Sequence, residues 1–215
     1  MAIIQMKGIT KKYGERAILD DFHLEVNQGE YVALMGESGC GKSTLLNIIG
    51  LLERFDEGKL VIDENTNVRP GSKKANQILR ETISYLFQNF ALIDEETVVS
   101  NLEIALKYVK GTAKFKAEKI KDALRIVGLE GFEKRKIYEL SGGEQQRVAI
   151  ARIMIKPSKI ILADEPTGSL DEKNRDIILD LMERLNKEGK TIILVTHDKT
   201  ATRNCSRIIS MERKY

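Results

Sequence analysis

The chain is short of several things that would narrow its function at once. It has two cysteines, Cys40 and Cys205, in 215 residues, far too few for a disulfide framework, and no Cys/His cluster has zinc spacing. That usage fits a reducing compartment, so a cytosolic protein is expected. Tryptophan is absent, proline occurs three times and histidine twice, which excludes proline-rich linkers and histidine-rich metal tracts. No apolar run approaches the roughly 20 residues of a membrane span. The longest candidate, Leu45 to Leu52, contains Asn47 and ends at Glu53. Met1 to Thr10 lacks the basic-then-apolar pattern of a secretory signal, and no direct membrane insertion is expected. Excess charge is missing too: 35 Lys and Arg stand against 32 Asp and Glu, a net of +3. Nucleic acid is therefore not an expected partner, while an anion held at one local site remains possible on charge grounds.

What is present reads as a folded α/β chain. Hydrophobic residues are 42% and charged residues 31%, ordinary for a globular protein. The length suits one large domain, or a core carrying an inserted subdomain. Ile3–Ile9, Ala17–Val26 and Tyr31–Met35 read as strands, and Lys42–Leu52 has helical spacing. Residues 64–74 read as a polar loop, and Ile83–Phe87 as a strand. From Thr97 to Ile155 the period is helical, with Gly128 as a C-cap and Pro157 closing the block. Lys159–Ala163, Thr191–Val195 and Ile208–Met211 are further strands, with a helix over Asp176–Lys187. Strands alternating with helices predict a mixed, mainly parallel, doubly wound sheet. The interruption predicts a core of about residues 1–88 and 156–215 with a helical subdomain at about 89–155.

Gly36, Glu37, Ser38, Gly39, Cys40, Gly41, Lys42, Ser43 and Thr44 fit G-x-x-x-x-G-K-[ST] in full. Backbone N–H groups in such a loop wrap a polyphosphate, and the helix that follows adds the positive end of its dipole. Lys42 is placed to reach the β- and γ-phosphates, Ser43 to give its hydroxyl to Mg²⁺, and Thr44 to support the phosphates. A glycine-rich turn without function would need neither the strand before the loop nor the amphipathic helix after it. Cys40 reads two ways. Lys42 and a helix N-terminus favour its thiolate, or it is a small filler facing the core.

The apolar run Ile160 to Ala163 ends in Asp164 and Glu165. Ligands of parallel sheets bind at the C-terminal strand ends, so Asp164 is the candidate Mg²⁺ holder and Glu165 the candidate base for an attacking water. The alternative is a solvated acidic turn before Pro166. Leu140, Ser141, Gly142, Gly143 and Glu144 form a second anion cradle opening a helix. Ser141 and Glu144 also have capping-box spacing, and both readings can hold together. This cradle cannot serve the phosphates from the same side as Lys42, so a partner molecule is implied.

With that segment the chain resembles the ATP-binding cassette (ABC) transporter ATPases over essentially its whole length. The resemblance implies a P-loop NTPase core with an inserted α-helical subdomain, ATP and Mg²⁺ as ligands, and a homodimer formed on ATP binding. It also implies a transmembrane permease subunit as partner, and a peripheral position on the inner face of the cell membrane. Leu140 to Glu144 is similar to the signature that contacts the γ-phosphate of the other subunit. Gln88 matches the Q-loop glutamine on Mg²⁺, His197 the switch histidine at the γ-phosphate, Tyr13 the aromatic on adenine, and Ser169, Leu170 and Asp171 the D-loop. Residues 87–93 and 163–171 look like the macrolide-export and lipoprotein-release subgroup, with small bacteriocin-export ATPases similar. Glu64 and Asn65 stand where the family usually turns on glycine. A non-transport ABC ATPase is the rival reading, but the stretch from Gln88 to Leu140 is too short for its coiled coils or zinc modules. An ordinary P-loop kinase or GTPase would lack the signature and His197.

Overall fold

The computed structural model describes residues 1–212, and its strands divide between two sheets. Strands β1 (Ala2–Tyr13), β2 (Arg16–Asn27), β4 (Glu57–Ile62) and β5 (Asn65–Thr66) form an antiparallel sheet in the order β2-β1-β4-β5. Strands β3 (Tyr31–Gly36), β6 (Ile83–Leu86), β7 (Ile160–Asp164), β8 (Thr191–Val195) and β9 (Arg207–Met211) form a parallel sheet in the order β6-β7-β8-β3-β9. The mixed, mainly parallel α/β architecture is present, but as two sheets packed together rather than one.

Side-chain alternation along the parallel strands separates two cores. Ile160, Leu162, Ile193, Val195, Val32 and Leu34 face the antiparallel sheet and helix α1 (Lys42–Ile49). Tyr31, Ile161, Ala163, Ile192 and Leu194 face the other way, onto helices α3 (Val98–Leu106), α4 (Ala113–Ile126), α5 (Gly142–Ile155) and α6 (Glu172–Lys187). Strands buried on both faces read as unbroken apolar runs, as parallel strands must when helices cover them.

Local chemistry sets the helix ends. Thr97, Thr112, Ser141 and Asp171 each accept a hydrogen bond from a backbone N–H three residues on, capping α3, α4, α5 and α6. Gly128, at φ 70°, ends α4 as its spacing predicts, with Leu129 N donating to Leu124 O at 2.8 Å. One helix and one two-stranded hairpin lie outside the sequence expectation. Helix α2 (Lys73–Glu81), capped by Ser72, starts inside the expected polar loop and buries only Ala75 and Ile78, too narrow a stripe to register as a period. The β4–β5 hairpin turns on Asp63 (φ 44°) and Glu64 (φ 69°), a left-handed pair without glycine. Asn65 Nδ2 steadies the turn by donating to Asp63 O at 2.7 Å, and Lys159 Nζ reaches both Asp63 carboxylate oxygens at 2.9 Å.

Candidate active site

The C-terminal ends of the parallel strands open into one cleft of about 810 Å³. After β3 the chain forms the phosphate loop, and Gly36, Glu37, Ser38, Gly39, Gly41, Lys42, Ser43 and Thr44 all line the cleft. Gly36 is required here for a reason internal to the chain. A Cβ at that position would lie 2.3 Å from the Met211 carbonyl oxygen of β9 and 2.8 Å from Cys40 Sγ. Gly41 starts α1 from φ 98°, a conformation L side chains rarely adopt. Lys42 is buried, and its ammonium donates to Gly36 O at 2.7 Å and Glu37 O at 2.8 Å, which aims its stem along the loop.

Cys40 is the exception in the loop. Its side chain does not line the cleft but belongs to the core with Leu45 and Leu46, and it is 4% exposed. The thiol is buried as the filler reading has it, with Lys42 Nζ 3.8 Å from its sulfur.

From β7, Asp164 and Glu165 enter the same cleft. Ser43 Oγ lies 3.4 Å from Asp164 Oδ1, so the two residues expected to share a cation are neighbours. Burial raises the Asp164 carboxyl above the usual carboxylate range, against the Ser43 hydrogen bond that lowers it. Glu165 takes the left-handed region at φ 45°, with its N–H on Val195 O at 2.9 Å. That turn swings its carboxylate onto His197, whose Nδ1 lies 2.8 Å from Glu165 Oε1. A hydrogen bond there orients both groups. Gln88 leaves β6 exposed and lines the cleft from the other side.

Tyr13 ends β1 at the rim of the cleft, half exposed. Its hydroxyl donates to Glu53 Oε1, and that carboxylate raises the phenol above its usual value. Lys11 Nζ stands 3.2 Å from Glu53 Oε1 and 4.9 Å from the Tyr13 ring centre. The ring is thus fixed in direction by Glu53, a residue with no motif of its own. Arg16 pairs with Tyr13 across the β1–β2 turn and also lines the cleft. The family resemblance was the signal for Tyr13; nothing in the sequence marked Arg16 or Glu53.

Ser141, Gly142, Gly143 and Glu144 are not among the residues that line this cleft. They form the first turn of α5 with the full capping box: Glu144 Oε2 accepts from Ser141 N and from Ser141 Oγ, each at 2.8 Å. Those two bonds hold the Glu144 carboxyl below its usual range. Helix α5 is tied to the turn after β7 and to α6 by two polar side chains at the end of the signature segment, Gln146 and Arg147. Gln146 Nε2 donates to Pro166 O at 2.6 Å, one residue beyond Glu165, and Arg147 Nη1 donates to Asn174 Oδ1 at 2.9 Å on α6.

A phosphate loop after one parallel strand, an acidic pair after another and a histidine after the strand between them define a nucleotide-binding cassette of the P-loop NTPase class. Residues 19–168 match the family described as ABC transporter, and the chain belongs to that family. It is 42% identical over 219 residues to MJ0796 of Methanocaldococcus jannaschii, described as an uncharacterized ABC transporter ATP-binding protein, covering 98% of this chain and 93% of that one. It is 39% identical over 213 residues to the macrolide export ATP-binding/permease protein MacB of Escherichia coli, covering 97% of this chain and 33% of that one. The chain thus spans about a third of the length of its MacB relatives. A solved dimer of the MJ0796 cassette superposes with a TM-score of 0.89 at 40% identity, covering 98% of this chain and 94% of that one. A post-hydrolysis dimer of the same cassette, bound to ADP and Pi, gives 0.88 at 38% identity, covering 99% and 97%.

Proposed function

We propose that this chain is the ATP-binding and ATP-hydrolysing subunit of an ABC transporter. In this reading two copies close head to tail on two Mg-ATP, and hydrolysis reopens them to drive a separate transmembrane permease subunit. The observation that carries the reading is the division of the phosphate-binding groups. Lys42, Ser43, Gln88, Asp164, Glu165 and His197 share one cleft, while the Ser141 to Glu144 cradle lies outside it at the start of α5. A second copy supplying that cradle completes the site. The dimeric MJ0796 cassettes support the arrangement by analogy. The core of about residues 1–88 and 156–215, with a helical subdomain at about 89–155, is the domain division that goes with it.

The loop N–H groups and Lys42 bind and orient the triphosphate. Ser43 and Asp164 offer the hard oxygen donors that Mg²⁺ takes, and Gln88 offers an amide oxygen from across the cleft. Among the described residues no cluster of three or more His, Cys, Asp or Glu could hold a metal by itself, which suits an ion bound through substrate phosphates and water. When bound, such an ion neutralises charge on the β- and γ-phosphate oxygens. Glu165 takes the proton of the attacking water, and His197 holds that carboxylate in place through Nδ1.

Among the described residues no helix is long and apolar enough to cross a membrane; in this reading the membrane-spanning work belongs to the permease. The cassette then sits peripherally on the cytoplasmic face. The macrolide export for which the relative MacB is named supports a drug as cargo; lipoprotein, peptide or bacteriocin export are the other cargoes of this reading.

The test is Glu165→Gln. ATP binding is kept, turnover falls by about 100-fold or more, and ATP traps a dimer on size-exclusion chromatography. A variant that stays monomeric and hydrolyses ATP at the parent rate removes Glu165 from the mechanism.

A further inference from the structure

Gln88 is separated from helix α3 by a loop whose backbone is strained in one place. Phe90 (φ 61°) and Ala91 (φ 47°) are consecutive non-glycine residues in the left-handed region. Neither has the short polar side chain that tolerates it. Such a pair persists only where the surroundings hold it. Two backbone bonds close the turn, Phe90 N to Phe87 O at 3.1 Å and Ala91 N to Asn89 O at 2.6 Å, Phe90 packs on the helical core, and one side chain grips the two carbonyls. Arg152, on the third turn of α5, donates from Nη1 to Ala91 O at 2.5 Å and from Nη2 to Phe90 O at 2.9 Å. Among the described residues Arg152 has no ion pair, so these two carbonyls are what meets its charge. The loop is fixed on both sides of this point. Phe87 stacks on Tyr85 at 4.0 Å between ring centres, and the fully buried Asn101 side chain bonds both N and O of Ile93. Within the stretch from Gln88 to Leu92, among the described residues, Arg152 is the side chain that hydrogen-bonds the backbone.

We propose that Arg152 is the positioning residue for Gln88: its planar guanidinium grips two successive carbonyls, keeps Phe90 and Ala91 left-handed, and so sets the direction in which Gln88 enters the cleft. The effect on turnover rests on the reading of the cleft as an ATPase site; the grip itself does not. A lysine cannot replace it, because one ammonium head lacks the fixed fork that spans two acceptors. Because α5 begins at the Ser141 cradle, the same rigid helix joins the cradle to the backbone beside Gln88.

The experiment compares Arg152→Met, Arg152→Lys and the double variant Arg152→Met/Ala91→Gly with the parent. Glycine adopts the left-handed region without penalty, so Ala91→Gly restores what the lost grip had enforced. In Arg152→Met, amide hydrogen exchange of residues 88–92 speeds by about tenfold or more while α5 is unchanged. The kcat falls by about tenfold, KM for ATP moves less than twofold, and the double variant recovers at least half of the lost kcat. Arg152→Lys shows the same pattern more weakly, and it decides the matter should Arg152→Met not fold. Unchanged exchange at 88–92 overturns the proposal. So does acceleration spread along α5, or a double variant no better than Arg152→Met, since a side chain that merely packs would behave so. If the parent does not hydrolyse ATP, the ATPase reading fails, and the exchange data alone decide whether Arg152 holds the turn.

Discussion

At the scale of single residues, the two thiols illustrate how little a motif says about a side chain's direction. Cys40 sits among phosphate-binding residues in the sequence yet points into the core at 4% exposure. Cys205 packs against the helical core, where burial pushes its thiol up to about 12. The reactive form is the thiolate, so at pH 8 only about one Cys205 in ten thousand is ionised. Alkylation of the folded protein at pH 8 should therefore be slow at both positions. The Cys205 rate should climb about tenfold per pH unit up to pH 10 without levelling off. Peptide mapping by mass spectrometry after timed alkylation checks both. Fast labelling of Cys40, blocked by Mg-ATP, would mean that its sulfur faces the cleft after all. The Glu53 carboxylate makes the complementary point. Nothing in the sequence marks it, yet it fixes the ring of Tyr13, because contact across 40 positions of chain is invisible to spacing.

At the scale of elements, the two glycines that open α5 are unequally required by packing. A Cβ on Gly143 would lie 2.4 Å from Asn174 Oδ1, and the Asn174 side chain is held by Arg147 and by Asp171 Oδ2. A Cβ on Gly142 would have nothing nearer than Phe90 at 3.9 Å. Gly143→Ala should cost about 1–3 kcal/mol of stability, most of it recovered by adding Asn174→Ala. Gly142→Ala should leave stability within about 0.5 kcal/mol of the parent. Thermal unfolding of the three variants separates these outcomes; equal losses for the two glycines would refute the contact. Elements with a strong period or a motif at one end were legible beforehand: α1, α5, the strands of the parallel sheet and the cleft residues they carry. Helix α2 was not, since two buried side chains in nine residues leave no stripe to detect. Strand β4 was missed because Glu57, Gly58 and Lys59 precede its apolar half. The division into two sheets was illegible for a deeper reason, because strand pairing is decided by partners distant in the chain, as when β1 takes β4 as its second neighbour.

At the scale of the whole molecule, the proposed function requires that each site be assembled from two chains. Lys42→Ala and Ser141→Arg should each abolish turnover as homodimers. Mixed together they should regain activity, because one of the two sites in a heterodimer then has both its Lys42 and its Ser141 intact. Half the mixed chains pairing as heterodimers, each with one working site, sets the ceiling at about a quarter of the parent rate. An ATPase assay on the mixture, with heterodimers verified by differently sized tags, reads the result. A mixture as inactive as either variant would argue that Ser141 serves its own chain.

The alternation along β7 has a consequence for how such a chain changes over time. Ile160 and Leu162 fill the core beside α1, while Ile161 and Ala163 fill the core beneath the helices. Between the two lies a hydrogen-bonded layer of backbone. A methyl group gained or lost on the helical side meets that layer before it meets anything beneath the phosphate loop. Helices α3 and α4, which carry none of the cleft residues, are thus where small core substitutions can reshape the surface around new partners, one generation after another, with the packing beneath the phosphate loop left as it was.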